Sequence, residues 1–147
     1  MDELLELRRY IEQGHYQAAL ALVGEMEEMS RDDKINKIES YLNILLLHLI
    51  KQQAEQRSTR SWMVSIKNAL DGVARANKRR KAAGHYLDME ELREAIAEIF
   101  PTALRQASLE AFEGRYDETE LSDRIDEPTL KADALRMVLE AQGSVKH

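Results

Sequence analysis

Twenty-five consecutive residues, Asp32 to Gln56, set most of the limits on what this chain can become. Ile35, Ile38, Leu42, Leu45 and Leu49 recur at alternating three- and four-residue spacing, which lines them along one side of an α-helix. Ile44, Leu46, Leu47 and Ile50 add apolar side chains away from that stripe. A helix that is apolar nearly all round is stable in water only when other helices wrap it. The expectation is an all-α fold, a helical bundle built around a long buried central helix at about 32–56.

The flanking sequence supplies the wrapping. Trp62, Ile66, Ala69, Leu70 and Val73 have helical spacing, with Ser58 or Thr59 as N-cap. The spacing predicts a second long helix at about 59–82, stopped by Gly84 and antiparallel to the central one. Before the core, two shorter helices are expected, one around Leu4–Ile11 and one from Tyr16 to about Met29. Ser30 and Asp33 have the spacing of a capping box and would start the central helix. Asp88 and Glu91 have it again, ahead of Leu92, Ala95, Ile96 and Ile99. Pro101 suits the first turn of a new helix, where its missing N–H is not needed. Asp117 to Asp126 reads as a short helix or loop, and Pro128 opens a last helix ending by Gly143. The organisation expected is one helical domain over 1–147, with a C-terminal helical extension at about 121–147.

Three segments together resemble domain-of-unknown-function family twenty-nine. They are Leu22-Val23-Gly24-Glu25-Met26-Glu27-Glu28-Met29, Leu46-Leu47-His48-Leu49-Ile50-Lys51, and Arg57-Ser58-Thr59-Arg60-Ser61-Trp62 followed by Ile66. Phe100-Pro101 matches a further aromatic-proline step, so the likeness covers about 15–110. Many members carry a Trp and a Pro before the Arg, whereas Gln52 to Gln56 has neither, and Leu121–His147 has no counterpart in the family pattern. The resemblance implies an all-helical fold and a bacterial cytoplasmic setting. It brings no activity and no cofactor.

Composition narrows the function classes. The chain has no cysteine, which excludes disulfides and thiolate metal sites. The first residues are acidic where a secretory signal is basic, and no apolar run nears the ~18 residues that span a bilayer. A reducing compartment and no membrane partner are expected. The formal net charge of −6 is uneven. Residues 57–86 hold eight Lys/Arg against one Asp/Glu, whereas 1–56 and 87–147 are acidic.

His48 is the most tempting single residue, but no second His or carboxylate lies three or four residues away, so no metal site is assigned. A hydrogen-bonded structural histidine is the simpler reading. Ser58 and Ser61 have no local base, and neither a phosphate loop nor a nucleophile elbow is present. Arg57, Ser58, Arg60, Ser61 and Trp62, with His48, make up the candidate anion- or partner-binding set, and the 57–62 run is its sharpest part. Cations at a helix N-terminus oppose its dipole, so a bound anion or a partner's carboxylate would relieve them. Arg and Trp also dominate energetic hot spots at protein interfaces.

Arg75 and Lys78-Arg79-Arg80-Lys81 have the charge to grip a nucleic acid backbone. They also fall where cations suit the end of the second long helix, beside an expected acidic turn at Glu25–Asp33, so self-pairing disfavours nucleic acid. The reading is a protein-interaction module or homo-oligomer without catalytic activity, its partner unknown. Two alternatives stand beside it: a nucleic-acid-binding regulator using the basic segment 57–81, and an enzyme or metal protein centred on His48.

Overall fold

The computed structural model describes residues 2–79 and 84–144. Among these are six α-helices and no β-strand: α1 (Glu3–Glu12), α2 (Tyr16–Glu55), α3 (Arg60–Asn77), α4 (Met89–Glu110), α5 (Glu118–Ser122) and α6 (Glu127–Ser144). The all-α class read from the sequence is what the chain adopts. It divides into two compact units, Met1–Lys34 and Ile35–His147.

In the first unit, Asp2 caps α1 by accepting a hydrogen bond from the Leu4 N–H at 2.9 Å. Gly14 turns the chain with φ of +76°, a left-handed conformation that favours glycine. Ala19 and Leu22 are buried, whereas Leu4, Leu5, Ile11, Tyr16, Leu20 and Met29 remain exposed.

The break expected at Ser30 does not occur, and α2 continues through it for 40 residues. The apolar stripe of Ala19, Leu22 and Met26 is out of phase with that of Ile35, Ile38 and Leu42, which imitates a boundary. Yet no proline separates them, and Ser, Asp and Lys inside a helix each cost only a few tenths of a kcal/mol up to about 0.7 relative to Ala. Local chemistry therefore gives the helix no reason to stop.

The second unit is organised around residues 35–55 of α2, against which α3 and α4 pack. Ile38, Leu42, Leu45, Leu46 and Ile50 have no exposed surface. They share one core with Ile66 and Val73 of α3, Leu92, Ile96 and Phe100 of α4, Leu121 of α5, and Leu130 and Val138 of α6. The expected antiparallel hairpin of α2 and α3 is present. It closes tightly at Gly72, where an added Cβ would stand 2.5 Å from Tyr41 Cε1.

Two further boundaries differ from the sequence reading. Helix α3 ends at Asn77 rather than continuing to Ala82, and residues 80–83 lie outside the described residues. The cause is the fully buried Asn77 side chain. Its Nδ2 donates to Leu87 O at 3.0 Å and Gln142 Oε1 at 2.7 Å, and its Oδ1 accepts from Leu87 N at 2.8 Å. Those bonds draw the returning chain onto the helix end. Second, Pro101 opens no new helix but sits inside α4. A proline in a helix interior costs about 3 kcal/mol. Burial of Leu92, Ile96, Phe100, Ala103 and Ala107 along one continuous stripe offsets it.

Candidate functional site

Lys51 and Glu55 lie one turn apart at the end of α2, and both reach the chain that leaves α4. Lys51 Nζ is 2.9 Å from Glu110 Oε1. Glu55 Oε2 accepts the Phe112 backbone N–H at 3.1 Å, and its Oε1 accepts from Arg57 Nε at 2.9 Å. The two side chains of α2 thus hold residues 110 and 112 together. Gln56, in the left-handed region at φ of +53°, ends α2 and swings Arg57 back toward it.

Trp62 stands over this arrangement. Thr59 accepts its backbone N–H at 3.1 Å and so caps α3. The Lys51 ammonium is 4.7 Å and the Arg57 guanidinium 4.8 Å from the indole centroid, within cation–π range. Lys51, Glu55, Arg57, Trp62, Glu110, Phe112, Glu113 and Arg115 line a cleft of about 650 Å³.

One wall of the cleft is strained. In the turn Ala111–Gly114, Phe112 and Glu113 have φ of +52° and +56°, and Gly114 follows at +78°. Only the glycine is at ease there. For the other two, the left-handed region costs roughly 1–2 kcal/mol each. Several contacts offset that cost. A hydrogen bond to a charged acceptor contributes about 1.5–3 kcal/mol, and Glu55 supplies one. The Phe112 and Tyr116 rings meet edge to face at 5.2 Å, with the Arg124 guanidinium 4.1 Å from the Tyr116 centroid. An aromatic pair of this kind adds about 0.5–1.5 kcal/mol.

Burial pushes the Glu55 carboxyl upward, since desolvation disfavours charge. The Phe112 N–H, the Arg57 hydrogen bond and charge, and the Lys51 charge outweigh burial and hold it below its ordinary value. Glu55 is therefore a carboxylate at neutral pH, kept charged by the groups that it orients.

The residues singled out in the sequence divide between this cleft and its surroundings. Arg57 and Trp62 line it. Ser58 lies beside it and accepts from Gln52 Nε2 at 2.7 Å. Arg60 and Ser61 are exposed on the first turn of α3. His48 is half-buried, and its Nδ1 is 2.8 Å from Ile44 O of its own helix. His48 therefore belongs to α2 packing and does not line the cleft. Of the basic run, Arg75, Lys78 and Arg79 are exposed, whereas Arg80 and Lys81 lie outside the described residues. The acidic turn expected to face that run does not exist, because Glu25–Asp33 is continuous helix.

The sequence reading missed Lys51, Glu55, Glu110, Phe112, Glu113 and Arg115. The four-residue spacing of Lys51 and Glu55 was visible. Nothing local to either segment shows that 51–62 meets 110–115. Among the described residues, no group of three or more His, Asp or Glu is arranged to hold a metal ion, and no helix is long and apolar enough to cross a membrane.

The fold and cleft together define a small helical protein with a mixed-charge, aromatic-walled recess at one end of its core. The family model described as domain of unknown function DUF29 matches residues 17–128, and the chain belongs to that family. No curated protein and no solved structure matches it.

Proposed function

We propose that this DUF29 chain is a protein-interaction module whose docking site is the Trp62–Phe112 cleft. The observation that carries this reading is the composition of the recess. A half-buried Trp62 is flanked by Arg57, with Phe112 and Arg115 across from it. Large flat side chains held by neighbours lose little entropy on binding, and Arg keeps planar donors to offer after giving one to an internal acid. Here Arg57 spends only Nε on Glu55. Glu55 and Lys51 hold the walls of the recess through Phe112 and Glu110.

The reading is tested in the native host with a photo-crosslinking residue at position 115, and at exposed Glu98 as control. A protein captured at 115 but not at 98, and lost on Trp62→Ala, supports it. The same captures at both positions, or capture at 115 that survives Trp62→Ala, would falsify it.

A further inference from the structure

The turn Ala111–Gly114 supplies Phe112 and Glu113 to the cleft while holding both in left-handed conformations. Such strain persists where surrounding structure over-determines it, and it concentrates at clamps and switches. Several of the over-determining contacts can be named. They include the Glu55 carboxylate on the Phe112 N–H, the Lys51 ion pair to Glu110 just upstream, the edge-to-face Phe112 and Tyr116 rings packed on the core, and Arg124 against both rings. The Glu55 bond is made to the backbone of a strained residue, so its loss bears directly on the conformation of the turn. We propose that residues 112–114 form a two-state wall, left-handed while Glu55 bonds the Phe112 N–H and relaxed when that bond is broken.

The two states differ in what the cleft presents. Glu113 and Arg115 ride on the turn, while Trp62 and Arg57 stay with α3 and the end of α2. A guest that prefers one state shifts the wall toward it, and breaking the latch changes the guest's affinity by the same linkage. Glu55 is a positioning residue in this scheme. The effect on a guest rests on the cleft being the docking site; the conformational claim does not, and its test needs no partner.

The test is residue-resolved amide hydrogen exchange on the full chain. Glu55→Ala is expected to speed exchange at Glu113 and Gly114, whose amides do not bond Glu55, by about tenfold more than at Leu45 in the core. Glu113→Gly relieves strain without touching the latch. It is expected to slow exchange in the turn, and to restore part of the protection when added to Glu55→Ala. Local exchange within about twofold of wild type in Glu55→Ala, or a uniform rise across Leu45 and the turn alike, overturns the proposal. So does Glu113→Gly speeding exchange. If Glu55→Ala does not fold, the wild-type Phe112 amide resonance is followed against pH. A shift tracking the Glu55 carboxyl supports the latch, and a flat trace rejects it.

Discussion

Lys51 Nζ stands 2.9 Å from Glu110 Oε1 and 4.7 Å from the Trp62 ring centroid, with only 8% of its side chain exposed. One cation therefore ties the end of α2 to both α3 and α4. The pair is unequal, because 41% of the Glu110 side chain is exposed. Losing Glu110 strands a buried ammonium, whereas losing Lys51 leaves a carboxylate that water can solvate. Glu110→Gln is expected to destabilise by about 1–2 kcal/mol and Lys51→Met by less, after discounting for solvent screening. Urea unfolding of both variants checks the order.

Asn77 should be the most sensitive polar residue of the second unit. Its amide satisfies the Leu87 N–H, the Leu87 carbonyl and Gln142, all in buried surroundings. Each buried polar group left unpaired costs about 1–3 kcal/mol. Asn77→Ala is expected to lower stability by about 3 kcal/mol or more, measured by denaturant midpoint, and Gln142→Leu by clearly less.

Gly72→Ala should lower stability despite the better helix propensity of alanine. The added methyl would overlap the Tyr41 ring, so the two helices have to separate or the ring has to leave its rotamer. Overpacking of this kind costs about 1–3 kcal/mol. Combining it with Tyr41→Leu should recover part of the loss, and thermal unfolding of the single and double variants checks it.

The pH dependence follows from Glu55. Its folded-state pKa is depressed, so its contribution to stability is complete above the unfolded-state value, about 4.3 for glutamate. As pH falls through that value and then through the lower folded one, the unfolded chain takes up the proton first and the contribution is lost. The stability gap between wild type and Glu55→Gln should be constant from pH 8 to roughly pH 5 and shrink below pH ~4. Chemical denaturation at stepped pH measures it; a constant gap down to about pH 3 contradicts the assignment.

Much of the fold was legible because it follows from periodicity. The stripe from Ile35 to Leu49 announced the core helix, and the Asp88 and Glu91 pair that announced α4 forms both bonds of a capping box. The errors at Ser30 and Pro101 share one origin, a local signal outweighed by continuous burial or by an unopposed helix, whereas the early end of α3 comes from the buried hydrogen bonds of Asn77. Ser30 had capping chemistry but no breaker beside it. Pro101 had breaker chemistry, but Phe100 and Ala103 on either side are both buried. The cleft was legible only on its 57–62 side. Phe112 and Glu113 carry no residue-level sign of a left-handed backbone, and only Gly114 hints at a turn. Meetings such as Glu55 with Phe112 and Lys51 with Glu110, 57 and 59 residues apart, are made by tertiary packing, and a single sequence does not display them.

Trp62 is the sole tryptophan of the chain. Because its ring lies against Lys51 and Arg57 at the mouth of the cleft, all indole fluorescence of this protein originates there. Its wavelength and quenching are therefore an unlabelled optical gauge of that recess, readable by titration with a candidate guest before its identity or affinity is known.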